Sequence, residues 1–454
     1  MSDALPLPPR PNLERYRRLA KDLQRACRSG DDDTIRGWAA GWIAALARLA
    51  PEAIDVREDG ALERAAGQMT RRWHQHTAAH PHARKCLLTG AQFFVAREHG
   101  FATWSRFVDH LAAIGDDSSA VSVFEQAVDA IVDGDLDALQ ALVAAHPGLV
   151  RARSTREHRS TLLHYVSANG VEDFRQRTPQ NIVAITNALL RAGADVNAES
   201  EAYGGRSTTL GLAATSVHPE QAGVQIALLE TLLAHGARID QPGLAGNGHS
   251  AIRGCLANGQ GGAARFFADR GVPMALDEAA GVGRLDAVRR YVDGRGDLQA
   301  GATRERLQEG FLYACGYGHA DIVKYLLERL VDPGFANGAG ETGLHWAMYG
   351  PHPRVVEVLL AHRAPVRATD RQGATAIDWA VNGWAQCTEP GEVGQAVEVI
   401  AMVARAGGRL TLSWFEQNER RGRSLARARQ DVHLRSLLGD GIATRDMLPD
   451  TESS

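Results

Sequence analysis

A ten-residue phrase recurs along this chain and limits its possible folds more than any other feature. The fullest copy, TLLHYVSANG, runs from Thr161 to Gly170, and related copies start at Glu125, Thr208, Ser250, Met274, Glu309, Thr342 and Thr375. The starts lie roughly 24 to 47 residues apart, a spacing that signals one supersecondary unit stacked many times. Each phrase is followed by a second apolar-periodic segment and a stop, as at 188–197, 229–240 and 355–364.

The residues at fixed offsets have physical roles. Thr161, Thr342 and Thr375 stand where a helix N-cap belongs, with a hydroxyl to accept an orphan backbone N–H. Ala213, Ala279, Ala314, Ala347 and Ala380 recur at one helical offset and let neighbouring helices approach closely. Gly193, Gly236 and Gly271 follow second helices, where a left-handed residue ends a helix at little cost. Each unit has an apolar stripe on both faces and cannot bury itself alone, so the core comes from stacking. The expectation is an all-α solenoid of about eight helix-turn-helix units.

The phrase resembles the TPLHxAAxxG motif of ankyrin repeats, and the second segment resembles their LLxxGAxxN ending, over about Glu125 to Gly408. The resemblance implies a structural role for His164 and His345, the fourth residue of the phrase. It also implies a core position for Tyr165, Tyr313, Trp346 and Trp379, and a groove-facing position for Tyr317 and Tyr349. The pattern departs from the family in places. The Ser250–Met274 interval is about nine residues short, so a finger hairpin is expected to be missing there. Leu330 and Arg363 occupy stop positions where glycine is expected, and the segments 171–181, 217–223 and 383–394 read as enlarged loops.

The flanks read as caps. Leu13, Tyr16, Ala20, Leu23 and Cys27 form one face of a helix over 12–29, and further helices are expected over 90–110, the last capped by Thr103. PNLERYRRLAKDLQRA and AREHGFATWSRFVDHL resemble the N-terminal helical segment of a group of bacterial ankyrin proteins. The expected domains are a helical N-terminal segment over 1–115, the repeat array over 120–408, and a C-terminal helical cap with a frayed tail over 409–454. The arginines at 420, 421, 423, 427, 429 and 435 read as a solvated helix face.

Composition narrows the function. A net charge of −4 disfavours non-specific nucleic-acid binding, which rests on phosphate neutralisation. The five cysteines are scattered and unpaired in sequence, which predicts reduced thiols acting as small apolar residues. No signal peptide is apparent, and the most apolar stretch, 38–50, is too short to span a bilayer. These features together predict a soluble cytoplasmic protein that binds neither membrane nor nucleic acid.

Catalytic signatures are sparse. His74, His76, His80, His82 and Cys86 are the densest group of possible metal ligands, but no further ligand completes a zinc set, so no metal site is expected. No Ser-His-Asp order, nucleophile elbow or P-loop appears, and no cofactor is expected.

Two readings follow. In the first, the chain is a non-catalytic scaffold that holds another protein. The groove and the fingers at 199–203, 242–247, 335–341 and 370–372 would do so through Tyr317, Tyr349, Trp384, Tyr203, Asn169 and Phe335. In the second, the early inserts gather His164, Glu172, Asp173, Arg175, Arg177, Tyr203 and His218 into one polar pocket for a small molecule, open to catalysis.

Overall fold

The computed structural model describes residues 4–8, 11–49, 60–239, 250–387 and 389–439. Short helices joined by turns account for nearly all of it, so the all-α repeat expectation holds. The finger at 242–247 lies outside the described residues. The chain forms two compact units, Met1–Ala263 and Ala264–Ser454, divided inside the stretch read as one array. No helix among the described residues is long and apolar enough to cross a membrane.

The first unit opens with helices Leu13–Ser29, Asp32–Leu49, Ala61–Ala79, Leu88–Glu98 and Trp104–Ile114. Tyr16, Ala20 and Leu23 are buried, as the periodicity predicts, and Thr103 Oγ1 accepts from Arg106 N–H at 3.2 Å. These helices share an aromatic-rich core that includes Trp42, Trp73, Phe94, Phe101 and Phe107. Cys27 and Cys86 are joined by a disulfide across a separation of 59 residues. This corrects the reading of all five cysteines as reduced apolar residues, and such bonds persist in oxidising surroundings. His76 stacks between Trp73 and His80 with centroid separations of 5.7 and 4.4 Å, while His74 lies 3.2 Å from Asp32.

The repeat phrases of this unit start short helices. Thr208 caps Thr209–Ala214 and Ser250 caps Ala251–Ala257, whereas the phrase at Glu125 falls inside the longer helix Ala120–Asp133, which Ser119 caps. The first finger is a two-residue antiparallel ladder, Glu199–Ser200 with Ser207–Thr208. The insert at 217–223 is mostly the helix Val217–Gln221, not an open loop, because Val224 N–H and Ala222 N–H close the turn onto Pro219 and His218 carbonyls.

The second unit repeats a helix pair four times: Leu276–Gly281 with Leu285–Tyr291, Arg304–Gly316 with Ala320–Leu327, Gly343–Tyr349 with Pro353–Ala361, and Ala376–Trp384 with Pro390–Arg405. Three short helices, Leu412–Glu416, Glu419–Gln430 and Val432–Leu438, complete it, and Leu425, Ala428 and Leu434 join the core of the pairs. The expected loop over 383–394 is largely absorbed, because Trp384 still belongs to one helix and Pro390 starts the next. Arg363 takes the left-handed conformation (φ 60°) where a glycine was expected.

Adjacent pairs are clamped by histidine. His319 Nε2 donates to Gly281 O and His352 Nε2 to Gly316 O, both at 2.9 Å. Each imidazole lies where a Cβ on Gly283 or Gly318 would stand (2.7 and 2.8 Å), and both glycines have φ near +82°. Glycine is therefore needed at both points for the turn and for the imidazole. A second clamp uses the histidine of the phrase. Thr342 N–H donates to His345 Nδ1 at 3.1 Å, while His345 Nε2 donates to Ala374 O at 3.1 Å in the next finger. His164 does the same between Thr161 and Ser207 O.

Candidate functional site

The residues expected to form one small-molecule pocket in the first unit occupy separate places. Glu172 and Arg175 lie inside a buried charge lattice. Arg175 donates to Glu125 Oε2 at 2.6 Å and to Asp129 Oδ1 at 2.7 Å, and Arg156 pairs with Glu172. His158 and the Tyr165 hydroxyl also face Glu172, at 3.6 and 3.4 Å. Burial raises the pKa of both carboxyls. The guanidinium groups outweigh it, Arg156 foremost at Glu172 and Arg175 foremost at Glu125, and hold both below the usual value. Charges paired this way neutralise one another inside the unit.

His164 is fully buried in its clamp, where burial lowers its pKa to about 4, and Arg177 pairs with Asp133 at the surface. Asp173 acts electrostatically on both Tyr203 and His218. Tyr203 is 51% exposed, has φ 52°, and donates from its hydroxyl to Asn169 Oδ1 at 2.6 Å. The predicted set is thus split between an interior lattice and a surface cluster. Arg156, His158, Glu125 and Asp129 were not foreseen. A signal existed in the helix Ala120–Asp133, where Glu125 and Asp129 are one turn apart within an otherwise apolar run.

A cleft of 810 Å³ lies between Leu136–Ala145 and Ile182–Arg191 in the same unit. Its lining holds one charged residue, Arg191, and no aromatic, so little there fixes a partner's orientation.

The second unit has a different surface. A cleft of 510 Å³ is lined by Glu341, Asp370, Arg371, Trp379, Glu392, Trp414 and Arg421, among others. A smaller one of 270 Å³ is lined by Glu305, Glu309, Tyr313, Phe335 and Trp346. Both draw on first helices and the fingers beside them. Trp346 and Trp379 were expected in the core and are instead half-buried on these clefts. Their indole N–H groups explain this, because each donates at 3.1 Å to a finger carboxylate, Glu341 for Trp346 and Asp370 for Trp379. Gly316 makes room for Trp346, whose Cε3 would be 2.9 Å from a Cβ there.

Of the residues expected to contact a partner, Phe335 lines the smaller cleft, and Tyr317 is half-buried with its ring 6.3 Å from that of Tyr313. Trp384 is only 4% exposed beneath Arg427, which corrects its assignment to a contact surface. The Tyr349 side chain lies outside the described residues. Tyr203 and Asn169 belong to the first unit's cluster.

Comparisons with known proteins bear on the repeats. The family profile "Ankyrin repeats (3 copies)" matches residues 311–389, which include Trp346 and Trp379 of the clefts but not Trp414. The crystal structure of the human ASB11 ankyrin repeat domain aligns with 20% identity over 63% of this chain and 99% of that one, at a TM-score of 0.31. No curated protein matches the chain. Residues 311–389 are therefore ankyrin repeats set in an all-α repeat fold.

Proposed function

We propose that the chain is a protein-binding scaffold of bacterial origin, and that its second unit holds the partner on the face formed by first helices and fingers. The observation that carries this reading is the pair of half-buried tryptophans Trp346 and Trp379 at equivalent places on successive repeats, each set in a cleft and fixed by a finger carboxylate, with the buried Tyr313 lining the smaller cleft beside Trp346. Tyr and Trp bury large areas with little entropy loss and dominate binding energy. Ankyrin repeats generally mediate protein–protein interaction, which supports the same assignment by analogy of fold.

The test is affinity capture with the full chain and with Trp346→Ala plus Trp379→Ala, read by mass spectrometry and by thermal unfolding. A protein retained by the wild type and lost by a folded variant sustains the reading. Equal capture by both removes it.

A second reading has one observation in its favour. Tyr203 is exposed, has φ 52° and donates from its hydroxyl to Asn169, with Asp173 acting electrostatically on it and on His218. Side chains kept in a sparsely populated backbone region cluster at functional sites. A small molecule there would stabilise the wild type more than Tyr203→Phe or His218→Ala, and identical thermal shifts would sink this alternative.

A further inference from the structure

We propose that the two clefts of the second unit form a docking groove for an extended peptide rich in arginine or lysine; this rests on the protein-binding reading above and specifies the partner's chemistry. The clefts are lined by five carboxylates, Glu305, Glu309, Glu341, Asp370 and Glu392, against two guanidinium groups, Arg371 and Arg421. Among the described residues Glu305, Glu341, Asp370 and Glu392 form no ion pair. Among the described residues the Glu341 carboxylate accepts from the neutral N–H groups of Trp346 and Asn337, and Asp370 from those of Trp379 and of the Gln372 and Ala374 backbone. Their charge is therefore unneutralised beside indole rings. That combination suits a cationic side chain, which gains from the aromatic face and from a charge-assisted hydrogen bond together.

The unit already uses this mode internally. The Arg421 guanidinium stands 4.0 Å from the ring centroid of Trp414, at the end of the larger cleft. A second observation points to a peptide. Trp414 is 4% exposed and lines that cleft, yet its Nε1–H has no acceptor among the described residues. A buried N–H without a partner is costly, and a peptide main chain carries a carbonyl at every residue that could accept from it. A partner rich in carboxylates or phosphates would meet like charge on this surface, so charge complementarity selects the basic one.

The experiment measures fluorescence anisotropy of labelled ten-residue peptides that alternate glycine with arginine, glutamine or glutamate, added to the full chain. The arginine peptide should bind with saturation and about tenfold tighter than the glutamine peptide, with affinity falling as salt rises. Glu341→Gln plus Glu392→Gln should weaken it about fivefold at unchanged unfolding temperature, and Trp414→Phe, which keeps an aromatic ring and removes the N–H, about threefold in a chain that is less stable but still folded at the assay temperature. Glu398→Gln, exposed on the helix that carries Glu392 but outside the cleft lining, should bind like the wild type. The proposal is overturned by a failure of the arginine peptide to bind, by preference for the glutamate peptide, or by equal binding to the double variant and Glu398→Gln. If the arginine peptide fails while the tryptophan variants still lose a captured protein, the scaffold stands and only the cationic partner falls.

Discussion

Arg175 reaches Glu125 Oε2 at 2.6 Å with both side chains almost withdrawn from water, so two charges 50 residues apart in sequence neutralise each other in the interior of the first unit. Removing one member of such a pair strands the other. Arg175→Ala should therefore cost about 3–5 kcal/mol in urea unfolding, because Glu125 and Glu172 lose a shared cation. Arg175→Met with Glu125→Gln should cost less than the single change. Equal costs would mean that the lattice contributes no coupling.

Acid should destabilise the first unit in two stages. His99, His110 and His164 have pKa values of about 3, 4 and 4, lowered first by burial, against 6.5 when unfolded. The unfolded chain thus takes up protons first, and stability falls as pH drops from 6.5 through about 4, each imidazole adding up to about 1.4 kcal/mol per pH unit. Glu125 and Glu172 are held below the ordinary 4.5, so their contribution is whole above that value and is lost as pH falls through their lowered folded values. The unfolding temperature should be highest above pH 6.5. A rise on acidification to pH 5 would contradict this assignment, and His99→Phe should flatten part of the upper stage.

Reducing the Cys27–Cys86 bond should loosen the N-terminal helices. The bond closes a loop of 59 residues, which limits the unfolded chain and is worth about 2–4 kcal/mol. Cys27→Ser plus Cys86→Ser should lower the unfolding temperature and remove its sensitivity to dithiothreitol, whereas a wild type indifferent to reductant would show the bond to be neutral.

Gly90→Ala tests the close approach of two short helices. A Cβ at Gly90 would stand 2.5 and 2.7 Å from backbone atoms of Ala83, which no side-chain rotation can relieve. Alanine gains about 1 kcal/mol of helix propensity, while overpacking against fixed backbone costs about 1–3 kcal/mol or more. The expected result is a net loss of stability by chemical denaturation, and a gain would mean that the helices separate freely at this point.

The fold was legible where local chemistry decides structure. Thr161, Thr342 and Thr375 stand at the N-cap positions expected of them, and the Nδ1 atoms of His164 and His345 bond within three residues, so a short phrase announces them; only the Nε2 bonds reach to the next finger. The Cys27–Cys86 bond was not legible, because it depends on how Leu13–Ser29 packs on Leu88–Glu98. Glu172 and Asp173 are neighbours in one insert, yet a turn sends one into the buried lattice and leaves the other beside Tyr203. Trp346 and Trp379 read as core because a bulky apolar residue fits that position. Their exposure is set by Glu341 and Asp370, acceptors outside the helices that carry the rings.

The His319 and His352 bonds point the same way along the chain: each runs from the second helix of one pair to a carbonyl at the end of the preceding first helix. Synthesis from the N-terminus therefore lays down every acceptor before its donor. The first and second pairs each remain open at this edge until the next pair arrives, and a C-terminal deletion that removes His319 or His352 leaves a waiting carbonyl. An N-terminal deletion leaves an idle imidazole instead, so shortening the stack from its two ends should injure it differently even when equal lengths are removed.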